Sequence, residues 1–239
     1  MSTPALPLGD YIRPIGFLAR TPYGNLAEYG LAELLAAWKH LHQGALAALR
    51  RNGVPRVHPT AFVHPSAIIG DEAIIGPGAH VHEFTTVRGH SVLGAAASVG
   101  FNCEVTHASV GDGAVLGHRI GVNHTLVGAR AHLSASVVCA AIHLTGDMRA
   151  PSREVFLRTE RGLYHTGSVR FGALIGDHVQ TGAHIVLGPG AAIGRRTRIT
   201  SGVVLAARTI PADSILTSPG ATDTHVRPNR PRLTMPENR

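Results

Sequence analysis

Aromatic and charged residues are scarce in this chain of 239 residues: Phe, Trp and Tyr make up 5% of it, and Asp, Glu, Lys and Arg 15%. Such low fractions of aromatic and of charged residues are unusual for a mixed globular domain. Glycine, with 28 residues, is by contrast abundant. This composition favours a repetitive β architecture, in which small residues allow successive turns to stack.

Cysteine is almost absent, and no long apolar run opens the chain. The two cysteines, Cys103 and Cys139, provide neither a disulfide framework nor a zinc-binding motif, and we expect them to be buried apolar residues in a reducing compartment. Residues 1–20 lack both the positive start of a signal peptide and a membrane-spanning stretch. The sequence therefore predicts a cytoplasmic protein with no membrane partner.

The charge balance is basic, with a formal net charge of +7. A basic chain attracts nucleic acids, membranes or acidic small molecules. Because no basic run is interleaved with aromatic residues, we do not expect a nucleic-acid groove.

A six-residue period organises most of the chain. From Val57 onward, consecutive blocks begin with an aliphatic residue that glycine often follows, as in IGDEAI and IGPGAH. The period slips by one residue at VTHAS (105–109) and at VNHTL (122–126), and it returns at residue 169 after an interruption. One inward aliphatic residue per block predicts a three-sided parallel β-helix over residues 54–216, with about seven coils.

The flanks of the repeat differ from it. In the N-terminal segment, residues 1–53, the stretch 25–51 has the pattern of an amphipathic helix, with Asn25 and Glu28 at the spacing of a capping box. We expect this helix to cover the bottom of the column or to pack on a symmetry mate, and residues 217–239, rich in Pro and Arg, to form a loose tail. The predicted apolar stripe of the helix consists of Leu31, Leu34, Trp38, Leu41, Ala45 and Leu49.

An insertion at residues 144–168 interrupts the six-residue period. Its core, REVFLRTERGLYHTG, has the pattern of two short strands around a turn. We expect a hairpin that protrudes from the column. Such protruding loops often carry the residues that determine substrate specificity.

Longer blocks within the repeat carry a resemblance. The hexapeptide pattern over residues 57–216 resembles the left-handed β-helix superfamily of acyltransferases. The segments VGFNCEV and TGSVRFGALIGDHVQTGAHIVLG are similar to the C-terminal acetyltransferase domain of sugar-1-phosphate nucleotidylyltransferases. The resemblance implies an all-β, left-handed parallel β-helix and a homotrimer, or a dimer of trimers joined through the N-terminal helix.

The same resemblance implies a reaction. It is the transfer of an acyl group to an amine on a sugar, a sugar phosphate or a sugar-like metabolite. The donor is acetyl-CoA or another acyl-CoA, which serves as co-substrate, and no permanently bound cofactor is expected. The donor is expected in the cleft between neighbouring subunits.

Candidate catalytic residues follow from that reaction. Carried over onto this sequence, the family's catalytic histidine falls on His118, and we keep His124 and His143 as further candidates. Histidine suits the role because its ordinary pKa near 6.5 allows it to accept a proton from the attacking amine at neutral pH. Gly121 and Ala141 stand where the family has a tyrosine and an asparagine.

A cluster of arginines follows in the last coils. The planar guanidinium group binds phosphate well, so these side chains are candidates for holding the coenzyme A phosphates. The cluster consists of Arg195, Arg196, Arg198 and Arg208.

Two alternatives to an acyltransferase stay open. The changes at Gly121 and Ala141 favour a non-catalytic trimeric scaffold or regulatory homologue. His82, His118 and His124 resemble the three zinc ligands of the γ-class carbonic anhydrases, but their spacing and register differ from that pattern, so we predict no metal site.

Overall fold

The computed structural model describes residues 6–144 and 147–218, and the repeat in it forms a three-sided column of stacked parallel strands. The predicted left-handed parallel β-helix is confirmed. Each block contributes a strand of two or three residues and a turn, as the six-residue period requires. The predicted tail, 217–239, lies outside the described residues from position 219 onward.

The strands fall into three faces, which we number in the order in which the chain enters them. The first face consists of β1 (Phe62–Val63), β4 (His80–Val81), β7 (Ser98–Val99), β10 (Val115–Leu116), β13 (His132–Leu133), β18 (Gln180–Thr181), β21 (Arg198–Ile199) and β24 (Ile215–Leu216). The second face consists of β2 (Ile68–Ile69), β5 (Thr86–Arg88), β8 (Glu104–Thr106), β11 (Gly121–Asn123), β14 (Val138–Cys139), β19 (Val186–Leu187) and β22 (Val204–Leu205). The third face consists of β3 (Ile74–Ile75), β6 (Val92–Leu93), β9 (Ser109–Val110), β12 (Leu126–Val127), β17 (Ala173–Ile175), β20 (Ala191–Ile193) and β23 (Arg208–Ile210).

The core of the column is a ladder of aliphatic side chains. On the first face, Val81, Val99 and Leu116 follow one another in register, and all three are fully buried. A strand side chain alternates between inside and outside, so one aliphatic residue per block is enough to fill the interior. Cys103 and Cys139 are buried, unbridged members of the same core, as predicted.

The N-terminal segment contains three short 3-10 helices, Leu8–Asp10, Gly16–Leu18 and Pro22–Glu28, followed by helix α1 (Leu31–Arg51). The prediction that the helix begins near residue 25 with an Asn25/Glu28 capping box is wrong. Gly30 is the N-cap, and its N–H donates to the carboxylate of Glu33 at 2.9 Å. Tyr29 and Gly30 have extended backbone angles, and this separates the 3-10 turn from the α-helix.

The predicted apolar stripe of α1 is buried throughout, but the predicted place of the helix under the column is wrong. The helix packs along the outside of the third face instead of under the column. Its Leu34 and Trp38 belong to a second apolar core that includes Val92 and Leu126 of that face. Both sides of the third face are therefore covered, one by the interior of the column and one by the N-terminal segment.

The insertion contains the predicted hairpin, β15 (Phe156–Thr159) and β16 (Gly162–His165), paired antiparallel. The hairpin extends the third face, because β15 pairs with β23 where Arg158 lies beside Arg208. Leu157 and Tyr164 face the second core, and the Tyr164 hydroxyl accepts the N–H of Ala32 at 2.8 Å. The hairpin is thus tied to α1 as well as to the sheet.

No helix within residues 6–144 and 147–218 is long and apolar enough to cross a membrane.

Candidate active site

Histidine rings form a column at the corner between the second and third faces. His107 and His124 occupy the same turn position in successive coils, since the strands that precede them, β8 and β11, are in register. Their ring centroids are 4.8 Å apart, and the ring of His90, one coil lower, lies 5.2 Å from that of His107. The ring of His42, from α1, lies 5.3 Å from His90. The column therefore runs from the N-terminal helix to His124.

The backbone at this corner is left-handed, as it is at many other turns of the column. His107 and His124 have φ angles of +45° and +46°, in the left-handed region that disfavours residues with a Cβ. Both residues lie in the five-residue blocks VTHAS and VNHTL, where the period slips. The two corners are thus built alike, and stacking of the coils places one imidazole directly over the other.

A cavity of about 260 Å³ opens beside the column, between α1 and residues 168–170, where the insertion ends and the repeat returns. The indole Nε1 of Trp38 donates to the carbonyl oxygen of His90 at 3.0 Å, which fixes the helix wall against the column. The described lining contains two cationic side chains and no carboxylate, so it suits a neutral or anionic small molecule. The lining residues are Leu35, Trp38, Lys39, His90, His107, His124, Ser168, Val169 and Arg170.

Burial keeps these imidazoles neutral. Burial, together with the nearby positive charges of a protonated His107 and of Arg170, lowers the pKa of His124 to about 4. Burial also lowers the pKa of His107, with a contribution from His90, and lowers the pKa of His42 to about 4. At neutral pH these three rings are therefore neutral. Both nitrogens of His42 are engaged, by the Tyr23 hydroxyl and by the carbonyl oxygen of Glu72. Of the three, only His107 and His124 therefore line the cavity in the form that a general base requires.

The tautomer of His124 is set by its neighbour in the chain. Nδ1 of His124 lies 2.5 Å from the side-chain oxygen Oδ1 of Asn123. A neutral imidazole that donates its Nδ1–H to an amide oxygen has its lone pair on Nε2. Nε2 has no hydrogen-bond partner among the described residues, so it is the nitrogen available to a substrate.

His118 lies in the same coil as His124 but at a different corner, between the first and second faces. Its side chain is exposed, and the backbone carbonyl accepts the N–H of Ser136 at 2.9 Å. The position below it in the preceding coil belongs to Phe101, whose side chain is also exposed. Within one chain, the structure does not bring His118 and His124 together.

His143 lies at the start of the insertion and does not line the cavity. Its ring centroid is 5.8 Å from that of Phe156, and its Nε2 is buried without a hydrogen-bond partner in the described part of the chain. Burial and the charge of Arg153 lower its pKa. The three candidate histidines therefore occupy three separate places.

Two of the four candidate arginines are engaged within the chain. Arg195 donates through Nε to the carbonyl oxygen of Tyr11 at 3.0 Å, and that nitrogen lies 3.3 Å from the buried carboxylate of Asp177. Arg196 donates through Nε and Nη2 to Asp213, both at 2.6 Å, and this pairing lowers the pKa of the Asp213 carboxyl.

The other two arginines have free guanidinium groups. Arg198 lies on the first face and Arg208 on the third, and both side chains are exposed without an ion pair among the described residues. The four arginines therefore do not form one cluster.

The possible zinc ligands do not converge. His82 lies at the corner between the first and second faces, in register with the residue before His118, whereas His124 lies at the next corner. In the part of the chain that the structure describes, no group of three or more His, Cys, Asp or Glu side chains is arranged to hold a metal ion.

Several residues of the cavity escaped the sequence reasoning, namely His90, His107, Trp38 and Arg170. A signal for His107 and His124 was present: they are separated by 17 residues, which is the length of a coil containing one five-residue block, and the strands before them are in register. His90 also precedes His107 by 17 residues, but the residue in register with His107 one coil lower is Gly89, because Arg88 pairs with Thr106. No comparable signal places Trp38, because its contact with His90 depends on where α1 packs.

The stacked short strands define the class of the protein, a hexapeptide-repeat left-handed β-helix. No family model matches the chain. Over 119 residues, half of its length, it is 25% identical to the bifunctional sugar-1-phosphate nucleotidylyltransferase/acetyltransferase of Sulfurisphaera tokodaii. The match covers 28% of that protein, so the chain spans little more than a quarter of this relative's length.

Solved structures of the same repeat are also similar. One is the UDP-N-acetylglucosamine O-acyltransferase (LpxA) of Moraxella catarrhalis, with 18% identity, a TM-score of 0.41 and coverage of 68% of this chain and 67% of that one. Another is the GDP-perosamine N-acetyltransferase of Caulobacter crescentus in complex with CoA and GDP-perosamine, with 19% identity, a TM-score of 0.33 and coverage of 79% and 70%. The resemblance to hexapeptide-repeat acyltransferases predicted from the sequence blocks is confirmed.

Proposed function

We propose that this protein is an acyl-CoA-dependent N-acyltransferase that uses His124 as its general base. The observation that carries the proposal is an imidazole in a cavity, with Nδ1 beside the amide oxygen of Asn123 and Nε2 without a hydrogen-bond partner in the described part of the chain. The side chain of His118 is exposed, does not line the cavity of His124, and has no side-chain hydrogen bond to orient it among the described residues. The acceptor class, an amine on a sugar or sugar-like metabolite, and the donor, acetyl-CoA or another acyl-CoA, are those that the resemblance implies.

The chemistry requires one proton shuttle and no protein nucleophile. The acceptor amine attacks the thioester carbonyl carbon, a C–N bond forms, and Nε2 of His124 takes the proton that the nitrogen loses. The C–S bond then breaks, and the thiolate of coenzyme A leaves with the proton from His124. The imidazole is neutral again at the end of the cycle, which a pKa well below 7 favours.

The same proposal includes a homotrimer. The outward side chains of the second face include Ile68, Val138, Val186 and Val204, which are 42–74% exposed. The third face is covered by α1, and the outward positions of the first face are mostly polar. A second copy of the chain is the occupant we propose for the second face, because the cavity of His124 lies at its edge and the neighbour would then border that cavity.

Donor binding and turnover test the proposal. Coenzyme A and acetyl-CoA should raise the melting temperature of the protein, whereas AMP at the same concentration should not. Release of free thiol from acetyl-CoA should depend on an added amino sugar. If no donor binds at millimolar concentration, the non-catalytic scaffold becomes the better account of the chain.

A further inference from the structure

The imidazole of His107 is held between two fixed groups. Below it lies Gly89, where a Cβ would come within 2.7 Å of Cε1 of His107, so only glycine leaves room for the ring. The N–H of His90 donates to Nδ1 of His107 at 3.4 Å. Above it, the ring of His124 lies at a centroid distance of 4.8 Å, with 36° between the two planes. His107 is therefore fixed from below and in contact with His124 above.

We infer that His107 is a positioning residue for His124: its ring supports the face of the His124 imidazole and fixes the direction of Nε2. The inference rests on the proposed function of His124. Asn123 contacts only one edge of that imidazole, and a single hydrogen bond allows the ring to pivot about it. A second ring tilted against the face restricts this freedom, and placement of a base within about 0.5 Å has large effects on rate.

His107 also influences the charge state of His124. Two imidazoles in contact cannot both be protonated without repulsion, so each favours the neutral form of the other. The other groups that act on this pair are Arg170, two residues after the insertion, and Arg88, His90 and Glu72 from the lower coils. Lys39 of α1 lines the same cavity. Arg88, Arg170, His90 and Lys39 are unchanged in variants of His107, so a change in the titration of His124 reports on His107 itself.

Two substitutions of His107 separate its physical support of the His124 ring from the effect of its charge on the pKa of His124. His107→Ala removes both, so we expect the pKa of His124 to rise towards its ordinary range and kcat to fall about tenfold or more. His107→Phe keeps an aromatic ring under His124 but removes the titrating group. In this variant we expect most of the lost rate to return, while the pKa of His124 still exceeds that of the wild type. A matched control is His184→Ala, because His184 also has a left-handed backbone, φ +56°, at a different corner.

The measurements are the NMR titration of the His124 ring protons and the pH profile of kcat. A purely structural role for His107 would lower the melting temperature without moving the acid limb of the profile. An unchanged His124 titration in both variants, or a phenylalanine variant that folds but recovers no rate, would overturn the inference. If His107→Ala does not fold, the His124 titration in His107→Phe decides alone.

Failure of the proposed function can be distinguished from failure of the inference about His107. If the wild type transfers no acyl group, the proposal for His124 fails, but the NMR titration and the nuclear Overhauser contact between the two rings still test whether His107 holds His124. A titration that shifts in His107→Phe supports that part, and one that does not shift contradicts it.

Discussion

Nδ1 of His124 lies 2.5 Å from Oδ1 of Asn123, and this pair decides which imidazole nitrogen faces the cavity. The two residues are adjacent in the chain, and the second of them has a left-handed backbone, so the turn itself brings the side chains together.

Asn123→Ala should therefore lower kcat about tenfold or more, since the imidazole would lose its preferred tautomer and its orientation. Asn123→Asp should keep the orientation and add a negative charge, which raises the pKa of His124 and moves the acid limb of the pH profile upward. Steady-state kinetics between pH 4 and pH 8 on both variants check this. Equal kcat in the wild type and Asn123→Ala would show that the hydrogen bond has no part in the reaction.

The three candidate bases can be separated by parallel substitutions. His124→Ala should lower kcat by roughly 10²–10⁴, the usual contribution of a positioned general base, without loss of donor binding. His118→Ala and His143→Ala should have smaller effects on kcat. His132→Ala is the control, because His132 is an exposed residue in the next coil. If only His118→Ala lowers kcat, the general base is His118, at the corner between the first and second faces. A neighbouring subunit would then have to complete the site.

Much of the fold could be predicted from the sequence because the interior of a β-helix needs one aliphatic residue per block. The position of α1 depends on which outer surface of the column is apolar. The leading residue of each block points inward, so it gives no information about that outer surface. Yet the pairs Ile74-Ile75, Val92-Leu93 and Leu126-Val127 occupy three of the first four strands of the third face, and Ser109-Val110 occupies the other. Adjacent aliphatic residues in a strand point to opposite sides, so these pairs indicate a face covered on both sides.

The candidate site could be predicted only in part. Position-by-position resemblance leads to His118, whereas the geometry favours His124, because its ring lines the cavity and lies against that of His107, the residue in register one coil lower. The 17-residue spacing of His90, His107 and His124 is visible in the sequence, but the cavity is not. Its other wall comes from Trp38, which is more than 50 residues away along the chain and reaches the column only through the packing of α1.

The lowered pKa values predict how stability depends on pH. His42 and His124 have pKa values of about 4 in the folded protein, and that of His107 is also lowered, against about 6.5 in an unfolded chain. Between these values the unfolded chain binds more protons, so the free energy of unfolding should fall as the pH drops from about 6.5 to about 4. For the fully buried His42 the loss at pH 5 is about 2 kcal/mol.

Denaturant unfolding at pH 7 and pH 5 measures this loss. Trp38, the one tryptophan of the chain, packs beside His90 and reports the release of α1 by its fluorescence. His42→Gln retains hydrogen-bonding groups for Tyr23 and for the carbonyl of Glu72, so it should reduce the pH dependence, whereas His132→Gln should not. A free energy of unfolding that is the same at both pH values would contradict the shifted pKa values.

The arginines of the last coils should divide into two functional groups. Arg198→Gln and Arg208→Gln remove cations that have no carboxylate partner among the described residues, so each should weaken the binding of coenzyme A several-fold if it contacts a phosphate. Arg195→Gln should instead lower the melting temperature, because Arg195 helps to neutralise the buried Asp177. Isothermal titration with coenzyme A and with pantetheine, which lacks the phosphates, distinguishes the two effects. Unchanged affinity in both Arg198→Gln and Arg208→Gln would place the phosphates elsewhere.

The exposed aliphatic side chains of the second face give the last prediction. Val138 lies in the middle of that face and is 45% exposed, and a buried charge without a partner costs several kcal/mol in an interface. Val138→Glu should therefore convert a trimer of about three times 25.1 kDa into a monomer, as measured by sedimentation, while the circular dichroism of the column stays the same. Glu is tolerated at the equivalent position two coils below, where Glu104 pairs with Arg88, so the substitution itself does not prevent folding. His132→Glu, on the mostly polar first face, is the matched control and should leave the mass unchanged. If the wild type already sediments at 25.1 kDa, the second face has another partner, and the cavity of His124 has to be complete within a single chain.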